Sequence, residues 1–186
     1  ATLLVLLLAG LLAGCGGGSR PTGIRAAETP ADDVAEYQPR WRSHTVDSTQ
    51  YRKVFLAGTI DMGRSSDWQA ALVARFRDSI GGRWLFFNPR RREFHASPAE
   101  MEYQVAWELA HLEAADLIVM NLLGDSRSPI SLLEMGLYAR SGKLFVACSP
   151  DYYRYDNVRI TCRRYGVPLY DSLTALLDDL PQQSDE

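Results

Sequence analysis

Short apolar runs alternate with helical patterns along most of the chain. The runs are bounded by Gly, Pro or polar residues, as expected for strands that are buried on both faces of a sheet. They predict five strands, at residues 53–60, 84–88, 117–122, 143–148 and 168–170.

Helix signals occupy the segments between these runs. Ser66 with Gln69 forms a capping box, and a stripe of helical spacing follows it at Trp68, Leu72, Phe76 and Ile80. Further helices are predicted from Ser97-Pro98 to about Ala114, from Pro129, over about 157–165, and from a cap at Asp171. Strands that alternate with helices over short connections predict an α/β fold, a flavodoxin-like or Rossmann-like three-layer sandwich with a five-stranded parallel sheet.

The first part of the chain has a different composition. An apolar run over residues 3–13 is shorter than the ~20 residues of a membrane span and is typical of a signal peptide. It ends in Leu12-Ala13-Gly14-Cys15, which resembles the lipobox of bacterial lipoproteins, so the Cys15 thiol is expected to carry a lipid. We therefore expect a signal peptide at 1–14, a tether from the lipidated Cys15 to residue 50, one domain at 51–181 and a disordered tail at 182–186.

This organisation predicts a protein of the bacterial cell envelope, bound to a membrane by its lipid anchor. The chain shows no initiator methionine and no basic segment before the apolar run. The alternative is a start that was assigned at the wrong codon, in which case the protein is cytoplasmic.

Charge and cysteine content narrow the function further. With 20 basic and 23 acidic residues, the chain lacks the positive surplus of a protein that binds nucleic acid polymers. Cys148 and Cys162 lack the spacing of a zinc site, and the first strand is not followed by a dinucleotide fingerprint, so we expect neither a metal nor a cofactor. The two thiols either pair in an oxidising envelope or stay free and buried.

Polar residues follow each of the first four predicted strands, at 59–64, 88–92, 124–131 and 149–155. In an open parallel sheet the carboxyl ends of the strands meet at one edge, where ligands bind. Glu134 lies in the helix after the third of these loops. Proline prefers the first helical position, so Pro129 makes Ser128 the N-cap and leaves the Glu134 side chain free for chemistry. The alternative is that Glu134 forms a capping box with Ser131.

Other candidates are less specific. Gln104, Glu108 and His111 share one face of a helix, which a solvated polar surface also explains, and His111 is expected at the surface. Arg90 and Arg91 follow the second strand, where a guanidinium could bind a phosphate or carboxylate in bidentate fashion.

Several segments together resemble the nucleoside 2-deoxyribosyltransferase-like family. They are 55–60, Asn88-Pro89-Arg90-Arg91, Gln104 with Trp107-Glu108, 115–118 and Ser131-Leu132-Leu133-Glu134-Met135-Gly136. The resemblance implies that the protein cleaves or exchanges N-glycosidic bonds of nucleosides or nucleotides. It implies Glu134 as the nucleophile that attacks C1′ and Glu108, eight positions before Asp116, as the acid that protonates the leaving base. The substrate-binding residues would be Gly58, Thr59, Arg64, Arg90, Arg91, Gln104 and Ser128.

Two positions depart from the pattern of the transferases. Phe55 stands where they commonly have tyrosine, and Ser128 stands where they have aspartate. A serine there resembles the deoxynucleoside 5′-monophosphate N-glycosidases of the same superfamily, in which that hydroxyl sits at the phosphate; Gly63-Arg64 also resembles their first loop. Transfer, hydrolysis of 5′-monophosphates, and non-catalytic binding of nucleosides therefore stay open. The resemblance also implies homo-oligomers, because sites in this superfamily are often completed by a neighbouring subunit.

Overall fold

The computed structural model of the protein describes residues 33–40 and 46–180. Within these residues the chain forms one parallel sheet of six strands in the order β1-β3-β2-β4-β5-β6. The strands are β1 (Val34–Tyr37), β2 (Arg52–Gly58), β3 (Trp84–Phe87), β4 (Leu117–Leu122), β5 (Leu144–Cys148) and β6 (Leu169–Tyr170). This confirms the predicted α/β class with a parallel sheet and corrects the predicted number of strands from five to six.

Helices cover both faces of the sheet. They are α1 (Trp68–Ser79), α2 (Pro98–Ala114), α3 (Pro129–Tyr138), α4 (Tyr155–Tyr165) and α5 (Leu173–Asp179). One core cluster unites Leu112, Met135 and Val158, so α2, α3 and α4 lie on the same face. The cluster on the other face contains Phe76 of α1 and Leu176 of α5.

The alternation of side chains along β2 explains the two core clusters. Phe55 and Ala57 point into the cluster beneath α2 and α3, whereas Val54 and Leu56 point into the cluster beneath α1 and α5. All four side chains are at most 1% exposed. Strand β2 lies between β3 and β4 and is buried from both sides, which is why its sequence is a continuous apolar run.

The additional strand comes from the segment assigned to the tether. Val34 pairs with Trp84 and Tyr37 pairs with Phe87, which adds β1 to the edge of the sheet beside β3. The strand is short and half polar, so it lacks the apolar run that marks the interior strands. The predicted signal peptide, the lipidated Cys15 and the tail at 182–186 lie outside the described residues.

Several helix starts differ from their sequence signals. Asp67, not Ser66, caps α1, because its carboxylate accepts a hydrogen bond from the backbone N–H of Ala70. Ser172, not Asp171, caps α5 in the same way, and α4 begins at Tyr155, slightly before the predicted start. The predicted Ser97 cap of α2 is confirmed, with its hydroxyl 3.2 Å from the backbone nitrogen of Glu100.

The two cysteines of the domain are free and buried in the structure. Burial raises the pKa values of both thiols, which keeps them protonated. No helix in the described part of the chain is long and apolar enough to cross a membrane.

Candidate active site

The candidate site lies where the carboxyl ends of β2, β3 and β4 meet, because parallel strands end at a common edge. Helix α3 starts from the loop after β4 and turns Ser131, Glu134 and Met135 toward the protein interior. Since α3 begins at Pro129, Ser131 lies inside the helix and cannot be the N-cap that a capping box with Glu134 requires. The Glu134 side chain is thus free of that capping role.

Glu134 is a buried carboxyl group. The residue is 8% exposed, and burial raises the pKa of Glu134 to about 8, with the negative charge of Glu108 as a smaller cause. A neighbouring charge raises the pKa of a carboxyl group in this way only when the two groups lie close together. The structure therefore brings together the two acidic residues that the sequence places on different helices.

Glu108 is half-buried on α2. Burial raises its pKa too, and a hydrogen bond from Gln104 opposes that shift. Two carboxyl groups that repel each other release their protons in two separate steps that belong to the pair. Ionisation of one carboxyl therefore opposes ionisation of the other, and Glu134, whose pKa is raised to about 8, keeps its proton at neutral pH.

Gln104 holds Glu108 in place. Its Nε2 donates to Oε1 of Glu108 over 2.8 Å and to the carbonyl oxygen of Pro89 over 3.0 Å. Arg91 approaches the other end of the amide, with Nη1 3.5 Å from Oε1 of Gln104, and forms an ion pair of 2.9 Å with Glu100. Arg91 thus supports the α2 side of the site from within the protein.

Arg90 is directed into the loop after β2. Its guanidinium donates to backbone carbonyls of Gly63, Ser65 and Ser66 and to the side chains of Ser65 and Gln69. Its Nε lies 3.7 Å from Oδ2 of Asp67. The guanidinium therefore contacts the loop after β2 closely, and its binding of a phosphate or carboxylate stays a prediction. Arg64 is exposed and donates from Nε to the carbonyl oxygen of Asp61.

Gly58 and Thr59 end β2 beside β4. Gly58 has a φ of +127°, and a Cβ atom there would lie 2.2 Å from the carbonyl oxygen of Asn121. Glycine at this position lets the backbones of β2 and β4 approach. Thr59 is fully buried, and its Oγ1 lies 2.8 Å from Oγ of Ser128.

Ser128 stands at the N-cap of α3 as predicted, but its hydroxyl does not cap the helix. It lies between Thr59 and Ser126, with 2.7 Å between its Oγ and that of Ser126. Ser126 donates in turn to Oδ1 of Asp61 over 2.9 Å. The sequence analysis did not single out Ser126 or Asp61, because only the fold joins their two loops.

His111 is half-buried, not at the surface as predicted. Its ring stacks on Trp107 at 4.0 Å between centroids and meets the edge of Phe87 at 4.6 Å. Burial lowers the pKa of His111, with an opposing backbone hydrogen bond to Trp107, so it is neutral at neutral pH. The ring centroid of Trp107 also lies 6.3 Å from that of Phe55. These aromatic side chains therefore pack together between α2 and the sheet.

An open cavity of about 310 Å³ lies between α3 and α4, next to the site. None of the predicted site residues lines it. The lining residues are Leu132, Met135, Gly136, Arg154, Asn157, Val158 and Thr161. In the described residues, no group of His, Cys, Asp and Glu is arranged to hold a metal ion.

The fold and the site define an α/β protein with one buried and one half-buried carboxyl group at the edge of the sheet where open parallel sheets bind ligands. The family model described as nucleoside 2-deoxyribosyltransferase like matches residues 51–152, and the chain belongs to this family. The matched range includes both Glu108 and Glu134. The family implies binding of a nucleoside or nucleotide.

One similar solved structure is described as a conserved protein from Enterococcus faecalis V583. The TM-score is 0.52 at 15% sequence identity, and the similarity covers 72% of this chain and 99% of that chain. It supports the fold alone. No curated protein shows significant similarity to the chain.

Proposed function

We propose that the protein cleaves or exchanges the N-glycosidic bond of a nucleoside or nucleotide, with Glu134 as nucleophile and Glu108 as general acid and base. The observation that carries the proposal is that the buried Glu134 carboxyl and the half-buried Glu108 carboxyl interact and both have raised pKa values. When one carboxyl of such a pair has ionised, the pair contains one carboxylate and one carboxylic acid, which are the two species that a double displacement needs.

In the first step a carboxylate oxygen of Glu134 forms an ester bond with C1′ while the bond from C1′ to the base nitrogen breaks. The proton of Glu108 passes to the leaving base, which departs as a neutral molecule. In the second step a base nitrogen or a water oxygen attacks C1′, its proton passes to the Glu108 carboxylate, and the ester bond to Glu134 breaks. A base as acceptor gives transfer, and water gives hydrolysis.

The first ionisation of the pair falls preferentially on Glu108, because burial raises the pKa of Glu134 to about 8 and the charge of Glu108 contributes to that rise. The reactive form has the proton on Glu108 and the charge on Glu134. Positive charge that develops at C1′ in the transition state favours this form, because it attracts the nearer carboxylate. The reaction therefore requires the proton to lie on Glu108 when the substrate is bound.

The test uses the whole chain, because a fragment beginning at residue 51 would lack β1. Purified protein is incubated with the common deoxynucleosides and their 5′-monophosphates, with and without an acceptor base, and products are followed by chromatography. Glu134→Gln should abolish release or exchange of base, and Glu108→Gln should reduce it strongly. Glu102→Gln, on the exposed side of α2, is the matched control and should retain the wild-type rate.

Dependence on the acceptor base separates transferase from hydrolase. Product formation that survives in Glu134→Gln would exclude Glu134 as the nucleophile. If no substrate turns over but one binds, the protein is a non-catalytic binder.

We also propose that a second copy of the chain covers one face of the site. Helices α2 and α3 both pack on β2 and expose apolar side chains at helical spacing, namely Met101, Val105, Leu109, Ile130, Leu133 and Leu137. These are the helices that carry Glu108 and Glu134. Light scattering should report a dimer that Leu133→Glu dissociates, whereas Ile160→Glu, an exposed position of α4, should leave it intact. A monomeric wild type would contradict this.

The lipid anchor remains a proposal from the sequence. Expression of the full gene in a bacterial host should give a protein in the membrane fraction with an acylated Cys15, detectable by mass spectrometry. Cys15→Ala should prevent acylation.

A further inference from the structure

Three buried hydroxyl groups form a row between the loop after β2 and the loop before α3. The row, in order, is Thr59, Ser128 and Ser126, with oxygen separations of 2.8 Å and 2.7 Å. It ends at Asp61, whose Oδ1 accepts from Ser126 over 2.9 Å. Ser128 immediately precedes the helix that carries Glu134, so the row lies at the same edge of the sheet.

A count of protons fixes the direction of this row. Each hydroxyl has a single proton, and a carboxylate can only accept. Ser126 gives its proton to Asp61 and must accept from Ser128, which in turn must accept from Thr59. Thr59 also accepts from the backbone N–H of Leu123 over 3.1 Å. The row therefore has no proton left to donate to a ligand.

The nearby guanidinium groups do not replace these donors. The hydrogen bonds of Arg90 go to the loop at residues 63–69, and Arg91 is paired with Glu100. Arg64 is exposed, where water weakens its attraction for an anion. A phosphate requires donors and positive charge, and the row offers acceptors and the charge of Asp61.

We propose that Asp61 is a specificity-determining residue that selects a neutral substrate, a nucleoside with a free 5′-hydroxyl, over the corresponding 5′-monophosphate. This rests on the proposed function of the site. Asp61 is half-buried, with Oδ1 bound to Ser126. In the proposed complex its second oxygen accepts a hydrogen bond from the 5′-hydroxyl of the substrate. A phosphate in the same place meets a carboxylate and a row of hydroxyls that cannot donate.

The test measures binding separately from turnover. Calorimetric titration of the Glu134→Gln protein with deoxyadenosine, deoxyguanosine, deoxycytidine and thymidine, and with their 5′-monophosphates, gives a ratio of dissociation constants for each pair. We expect a nucleoside to bind at least about tenfold more tightly than its monophosphate, as expected when one partner is repelled at short range.

Asp61→Asn, made in the same background, should reduce this ratio to near unity. Asparagine suits the left-handed backbone at this position, where φ is 48°, so the loop conformation is retained. Asp125→Asn removes an exposed charge from the neighbouring loop and should leave the ratio unchanged. Ser126→Ala is the second variant: it releases the Ser128 proton for donation and should tighten binding of the monophosphate.

The outcomes separate this inference from the proposed function. Preference of the wild-type site for the monophosphate, or an unchanged ratio in both Asp61→Asn and Ser126→Ala, overturns the role of Asp61 while glycosidic turnover can still stand. If neither class of ligand binds or turns over, the proposed function fails and the inference fails with it.

Discussion

Gln104 donates a hydrogen bond from Nε2 to Oε1 of Glu108, one turn further along α2, over 2.8 Å. The same nitrogen donates to the carbonyl oxygen of Pro89. Glu108 is thereby tied to the loop after β3, and the hydrogen bond favours its ionised form, against the effect of burial.

Gln104→Met should therefore raise the pKa of Glu108, because methionine keeps the shape of the side chain and removes the donor. The measurement is a carbon NMR titration of Glu108 in the Glu134→Gln background, where only one carboxyl of the pair titrates. Glu102→Gln in the same background should leave the titration unchanged. A lower or unchanged pKa in Gln104→Met would show that Gln104 does not stabilise the Glu108 carboxylate.

Burial of Glu134 also makes the stability of the protein depend on pH. The group has an ordinary pKa of 4.5 and a folded-state pKa of about 8, so the folded protein holds a proton that the unfolded chain releases between these values. The resulting stabilisation is complete below pH 4.5 and is lost as the pH rises through about 8. Relative to wild type, Glu134→Gln should gain on the order of 3 kcal/mol in free energy of unfolding at pH 8.

Urea unfolding at pH 5 and pH 8 measures this difference. Glu102→Gln, which removes an exposed carboxyl from α2, should follow the pH dependence of the wild type. An equal effect of Glu134→Gln at both pH values would mean that Glu134 is ionised in the folded protein throughout.

Gly58→Ala should destabilise the protein by roughly 3 kcal/mol or more. A Cβ atom there would meet the carbonyl oxygen of Asn121 at 2.2 Å, and the φ of +127° is unfavourable for alanine. Gly136→Ala is the opposite case, because nothing lies within 4 Å of its added Cβ and alanine favours the helix. It should stabilise by roughly 0.5–1 kcal/mol. Thermal unfolding of both variants checks the signs, and a neutral Gly58→Ala would refute the close approach of β2 and β4.

The interior of the fold could be predicted from the sequence because β2, β3, β4 and β5 are buried on both faces and read as apolar runs. Strand β1 could not, since it is short and its pairing with β3 joins segments far apart in the chain. The starts of α1 and α5 were displaced by one residue because adjacent Ser and Asp residues are both good caps.

The candidate site, like the fold, could be predicted from the sequence only in part. Glu134 could be singled out from its place after an apolar strand and Pro129, but the sequence spacing does not show that its charge interacts with that of Glu108. The hydrogen bond between Ser126 and Asp61 joins two loops that meet only in the fold. The contacts of Arg90 with the loop after β2 could not be predicted, because they go mainly to backbone carbonyls, which leave no mark in the sequence.

The last prediction concerns this arginine. Arg90 spans the loop at 63–67 with a planar group that has donors in several fixed directions, and lysine offers a single point of charge. Arg90→Lys should lose most of the carbonyl contacts and lower the free energy of unfolding by roughly 1–3 kcal/mol. Backbone amides of residues 63–66 should exchange faster with deuterium, because the loop opens locally without unfolding of the sheet. Arg92→Lys, at an exposed position of the same run, should change neither quantity. If Arg90→Lys weakened only the binding of anionic ligands, with normal stability and exchange, Arg90 would be a ligand-binding residue and the loop would be held by other contacts.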